Sequence, residues 1–147
     1  MTLLICRTCP RYDTRATGDF GRRITAALTQ IADNEPDTTV SIRNVQCLGG
    51  CPDDGVVAVD GPQKARVRFT GLDESDAKAV YAAAVAHDAC ADGAPEGWEI
   101  PTELADRISS VTLKRTLRSP DSDPAGLRPD SLPGRTAGRW GIEHRRR

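Results

Sequence analysis

A chain of 147 residues, 38 % hydrophobic but with only two Phe, two Tyr and two Trp, has the length of about one domain and the material for a small aliphatic core. Its 20 basic and 21 acidic residues leave a formal charge of -1, which excludes the strong field that gathers nucleic acid or an anionic membrane surface. The apolar run Leu3 to Ile5 is far too short for a signal-peptide core or a membrane span, so a cytoplasmic protein is expected.

Thr2 to Cys6 is aliphatic, contains a β-branched residue and stops at a Cys-Pro turn, the pattern of a short buried strand. Phe20, Ile24, Ala27, Leu28 and Ile31 then recur at helical spacing, with Asp19 or Thr17 as the expected cap. Asn34, Pro36 and Asp37 break that helix, and Thr39 to Val45 resumes as a β-branched strand ending at Cys47. Val56 to Val59 and Ala65 to Thr70 flank the turn Asp60-Gly61-Pro62 and predict an antiparallel hairpin. Asp73 can cap a last helix, with Asp76 in its first turn and Ala77, Val80, Tyr81, Ala84 and Val85 on its buried face. Strand, helix, strand, hairpin and helix in this order predict an α/β fold with a mixed four-stranded sheet, its first two strands parallel.

Residues 1–92 are read as the folded domain and 93–118 as an extension that packs on the core or on a partner. That extension holds Trp98, Ile100, a short helix from Thr102 to Ile108, and Ser109 to Leu113. From Ser119 onward four prolines interleave with Gly, Ser, Asp and Arg, so residues 119–147 are read as a largely disordered tail. The terminal Arg145-Arg146-Arg147 is read as solvated charge, and His87 and His144 as surface residues.

Four of the five cysteines form two close pairs, Cys6-Arg7-Thr8-Cys9 and Cys47-Leu48-Gly49-Gly50-Cys51, each just past a predicted strand. Parallel strands finish at the same sheet edge, where open α/β sheets hold their ligands, so both turns can meet there. Four thiolates brought together repel one another unless a cation sits between them, and both zinc and an iron-sulfur cluster accept four. The two glycines of the second turn let the backbone approach a metal or sulfide closely, or make a plain turn. No His lies near either pair, which disfavours catalytic zinc with its mixed ligands. Because the patterns already provide a core, the metal is expected to serve electron transfer or sensing more than folding. A redox disulfide across Cys6 and Cys9 is the third reading, since C-x2-C beside a strand-helix-strand unit is a thiol-disulfide signature. Against it, no helix begins at the pair, and Cys47 and Cys51 go unused. Asp53 and Asp54 are read as turn formers that would also lower a cluster's potential, and Cys90 is the cysteine left over.

The element order and the two cysteine turns resemble the thioredoxin-like 2Fe-2S ferredoxins, in which cysteines of two neighbouring loops hold one cluster near the surface. Gly21-Arg22-Arg23, Val45 to Cys51, Phe69-Thr70-Gly71-Leu72 and Pro101-x-x-Leu104-x-x-Arg107-Ile108, with the first pair, resemble an uncharacterised bacterial family of predicted metal-binding proteins, domain of unknown function 1636. Some of its members are encoded near cobalamin and cobalt genes. The resemblance implies a non-enzymatic, thioredoxin-like protein carrying a 2Fe-2S cluster on Cys6, Cys9, Cys47 and Cys51. Such a protein would pass electrons or redox information to a partner protein docking over Leu48, Gly49 and Pro52. Zinc or cobalt handling, linked to cobalamin or cobalt metabolism, is the alternative. Gly55 stands where a further cysteine commonly follows Cys51 in that family.

Overall fold

The computed structural model describes residues 1–13, 15–36, 38–50 and 53–114, all within one compact unit that spans Met1–Thr116. The expected tail at 119–147 lies outside the described residues. In chain order the elements are β1 (Thr2–Cys6), α1 (Asp19–Asn34), β2 (Ser41–Val45), β3 (Val57–Asp60), β4 (Arg66–Phe69), α2 (Ala77–Ala89), α3 (Thr102–Ala105) and β5 (Ile108–Thr112).

The strands form one mixed sheet in the order β2-β1-β3-β4-β5. β1 and β2 are parallel, with Cys6 opposite Val45, so the crossover through α1 brings both cysteine turns to one edge. β3 lies antiparallel to β1, and β3 and β4 pair as the expected hairpin. Five strands stand where four are expected. The addition is β5, which pairs antiparallel with β4. Its sequence, Ile-Ser-Ser-Val-Thr, offers only two apolar residues, because an edge strand half open to water needs no more.

Side chains alternate across a strand, so Leu3, Ile5, Val57, Val59, Val67 and Phe69 share the face that meets the helices. There they pack with Phe20, Ile24 and Leu28 of α1 and with Ala77, Val80, Tyr81 and Ala84 of α2. Removing the methyl and methylene groups of a fully buried residue such as Ile5 or Leu28 to alanine costs about 2–5 kcal/mol. Leu4, Ala58, Arg66 and Arg68 fall by the same alternation on the opposite face.

The start of α1 differs from expectation. α1 begins after Gly18, which takes a left-handed conformation, and no side chain caps it. The Thr17 hydroxyl is already committed to the carbonyls of Pro10 at 3.1 Å and Asp13 at 2.8 Å, and the Asp19 carboxylate to Arg22. Asp73 does cap as expected, accepting from the Ser75 amide at 2.7 Å while its own amide donates to Asp76 at 3.0 Å. That capping box opens a short 3-10 turn, Glu74–Asp76, that leads into α2.

The buried face of α2 runs through Val80, Ala83, Ala84 and His87, leaving Val85 37 % exposed. His87, expected at the surface, is 0 % exposed. Its Nε2 donates to the Ala65 carbonyl at 2.8 Å and the Trp98 ring meets it edge-on at 5.7 Å, so a polar side chain takes a core position by satisfying one nitrogen. No helix among the described residues is long and apolar enough to cross a membrane.

Candidate metal centre

β1 ends at Cys6 and the chain turns immediately, so Cys9 comes back beneath the same strand end. Both cysteines are 1 % exposed. The turn is pinned by backbone bonds on both sides: the Cys6 amide donates to Val56, the Arg7 amide to Val45, and the Gly18 amide to the Cys9 carbonyl at 3.0 Å. It is thus locked to β3, to β2 and to the start of α1.

The two sulfurs sit in unlike environments. Burial pushes the Cys6 thiol up, but hydrogen bonds from the Thr8 hydroxyl, the Leu48 and Thr8 amides and the Cys9 thiol outweigh it, and Cys6 ends below its ordinary value. Burial, reinforced by Cys6, pushes Cys9 up to about 12, although the amides of Val56 and Gly55 also face its sulfur. The two thiols therefore differ in acidity, Cys6 more acidic than an ordinary thiol and Cys9 less. Amides and hydroxyls aimed at two adjacent sulfurs are what a thiolate-bound cation or cluster draws on to spread its negative charge.

The second turn wraps the first. The Cys6 sulfur lies 3.5 Å from the Thr8 hydroxyl and 3.9 Å from the Gln46 carbonyl, and the Leu48 amide faces it, so both neighbours of Cys47 lie around it. Cys47 itself is exposed, with the Gly49 amide donating to its sulfur at 3.3 Å. It borders a cavity of about 260 Å³ on the sheet face away from the helices, together with Leu4, Arg43, Leu48 and Arg66. The turn needs both its glycines: Gly49 and Gly50 take φ of 69° and 128°, and a Cβ on Gly50 would stand 2.9 Å from Thr70. The Asp53 amide donates to the Gly50 carbonyl at 3.1 Å, in keeping with a turn role for that residue.

Of the four expected ligands, Cys6 and Cys9 are brought together and Cys47 lies on the adjoining loop. Cys51 lies outside the described residues. Among the described residues no group of three or more His, Cys, Asp or Glu is arranged to hold a metal ion. Of the three expected ligands that are described, Cys6 and Cys9 fit a thiolate-bound centre in their donor chemistry, as two adjacent thiols faced by convergent amides, while Cys47 is exposed and not grouped with them.

Gly55 does not stand in for a ligand here. Its φ is 70° and a Cβ would lie 1.9 Å from the Leu72 carbonyl oxygen, so this backbone has no room for a cysteine. Cys90, at the end of α2, is buried and donates to Asp92 at 3.3 Å. Residue spacing missed the amides of Gly55 and Val56, the Thr8 hydroxyl and Arg68, whose Nη1 donates to the Leu48 carbonyl at 2.8 Å. Thr8 inside the first pair was the one sequence signal available. The others act through the backbone or across the sheet.

The fold and these turns define a small mixed α/β protein with a buried cysteine pair at the carboxyl end of parallel strands. A family model described as protein of unknown function (DUF1636) matches residues 3–112, and the chain belongs to that family. No curated protein matches the chain.

Proposed function

We propose that this protein is a thioredoxin-like carrier of a metal centre held by Cys6, Cys9, Cys47 and Cys51, with a 2Fe-2S cluster as its occupant and a redox partner protein as its client. The observation that carries this reading is the wrapping of the Cys6 sulfur by the two neighbours of Cys47, which draws two cysteine turns 38 residues apart toward one point. The strand order β2-β1-β3-β4, with β1 and β2 parallel and β3 reversed, supports the thioredoxin-like assignment. A bound cluster would supply one-electron transfer. The chain's own contribution is the donor set: Thr8 and Leu48 on Cys6, Gly55 and Val56 on Cys9, stabilising negative charge on the two buried sulfurs. A partner docking over Leu48 and Gly49 meets the exposed side of the centre.

The test is anaerobic purification followed by visible absorption and by iron and acid-labile sulfide analysis. Two irons and two sulfides per chain are expected for this cluster type. Colourless protein without iron or sulfide sinks the reading, and stoichiometric zinc or cobalt without sulfide would replace it with metal handling. A second reading, thiol-disulfide exchange, is favoured by the opposed displacements of Cys6 and Cys9, one toward thiolate and one toward thiol. It requires a reversible Cys6–Cys9 disulfide that survives Cys47→Ala, whereas a four-cysteine centre loses its metal in that variant.

A further inference from the structure

The ladder between β4 and β5 is irregular at one place: Arg68 faces Ser110 and Phe69 faces Ile108, which leaves Ser109 without an opposite residue. A bulge of this kind bends its strand and re-aims the extra side chain. Here it turns Ser109 onto Arg68. Arg68 Nε donates to Ser109 Oγ at 3.0 Å, and that hydroxyl donates in turn to the Arg68 carbonyl at 3.2 Å.

With one edge of the guanidinium so held, Nη1 reaches the Leu48 carbonyl at 2.8 Å. A Cβ on Gly49 would stand 3.1 Å from the same nitrogen, so the turn lies directly against it. Leu48 is held through its carbonyl by Arg68, and its neighbour two positions back, Gln46, accepts from the Cys6 sulfur at 3.9 Å. Among the described residues Arg68 makes no ion pair; its donors go to a hydroxyl and a carbonyl. A planar fork can satisfy two acceptors at fixed separation, whereas the single ammonium of lysine at the end of a flexible stem cannot.

We propose that Arg68, braced by the Ser109 bulge, is the positioning residue of the second cysteine turn. It fixes Leu48 near Cys6 and so sets the course of the loop that carries Cys47. The functional meaning rests on the four-cysteine reading, while the clamp itself is a property of the polypeptide with or without metal. β5 thereby acts on the cysteine site from 41 positions beyond Arg68.

The experiment uses the full chain, reduced and metal-stripped, as wild type, Arg68→Met, Arg68→Lys and Ser109→Ala. Amide exchange at Leu48 and iodoacetamide alkylation of Cys6 are followed by peptide mass spectrometry, with Cys90 and the β1 amides as internal references. Arg68→Met is expected to speed both about tenfold, the effect of losing one well-formed hydrogen bond, with the references unchanged. Arg68→Lys recovers less than half of the loss and Ser109→Ala loosens the turn a few-fold. Reconstituted Arg68→Met should also shift its visible spectrum at unchanged iron per chain.

Wild-type rates at Leu48 and Cys6 in Arg68→Met overturn the clamp. So does an equal acceleration at Cys90 and β1, which would make Arg68 a general stabiliser. If Arg68→Met does not fold, Ser109→Ala decides by the same rates. A wild type that takes up no iron or sulfide sinks the cluster reading alone, since the metal-free rates still judge Arg68.

Discussion

Replacing Gly55 by alanine separates two costs that glycines usually confound. Gly55 and Gly71 have nearly the same left-handed φ, 70° and 72°, so alanine at either carries the same conformational penalty, roughly 1–2 kcal/mol. Their surroundings differ completely. A Cβ at Gly71 meets nothing within 4 Å, while at Gly55 it would fall 1.9, 2.6 and 2.8 Å from the backbone oxygen, nitrogen and carbon of Leu72. Backbone cannot rotate aside as a side chain would, so the two segments must part. Two hydrogen bonds then go, Leu72 amide to Gly55 carbonyl at 3.1 Å and Gly71 amide to Asp54 carbonyl at 2.7 Å, each about 1 kcal/mol. Gly55→Ala should therefore cost about 3–4 kcal/mol against roughly 1–2 for Gly71→Ala, a large share of a typical total of about 5–15 kcal/mol. Urea midpoints followed by far-ultraviolet circular dichroism measure both. Because the Gly55 and Val56 amides face Cys9, Gly55→Ala should also weaken metal retention, and Gly55→Cys should behave like it and add no ligand. Equal losses of stability in the two alanine variants would refute the close packing against Leu72.

Three further outcomes are expected. Cys90→Ser keeps a hydrogen-bond donor for Asp92 and should leave iron and sulfide per chain unchanged, whereas Cys6→Ser and Cys9→Ser should abolish both; metal loss in Cys90→Ser would bring that residue into the site. Burial, opposed by the bond to Ala65, holds His87 below its ordinary value, with Lys64 acting in the same direction and Asp60 and Asp88 against it. Its neutral form is thus favoured on folding, so its stability contribution is complete above about pH 6.5 and is lost as the pH falls toward the lowered value. The drop in urea midpoint between pH 7 and 5 should shrink in His87→Gln, and an unchanged drop contradicts the assignment. Burial pushes the Asp60 carboxyl up, but Lys114 and Arg66 outweigh it and carry it below the usual range. Its contribution therefore stands above about pH 3.9 and is lost as the pH falls through the lowered value. Asp60→Asn should cost about 2 kcal/mol at pH 7 and flatten the acid limb of the stability profile, read by the same urea midpoints.

How far the fold was legible depended on whether a residue's role lay in its own apolar character. β1, β2 and the hairpin announce themselves through aliphatic and β-branched runs, and the meeting of the cysteine turns follows from parallel pairing alone. His87 escaped because a polar letter on a helix reads as surface. Only the Ala65 carbonyl, 22 positions away and presented by the start of β4, makes its burial affordable. β5 escaped because its serines look like loop, and Ser109 is there for the hydroxyl that braces Arg68.

The same division runs through the cysteine site. Spacing identifies the sulfurs, since thiolate chemistry is written in residue type, but their inequality is made by backbone amides, which every residue carries and no sequence pattern marks. Cys6 receives Thr8 and Leu48, Cys9 receives Gly55 and Val56, and these four come from two loops, the one after β1 and the one between β2 and β3, that the sheet brings together. Gly55 shows how the two levels interact. Read as a letter it suggests a missing ligand. Placed against Leu72 it is the residue that lets the loop lie close enough for its amide to face Cys9, so glycine at this position serves the sulfur site by having no side chain.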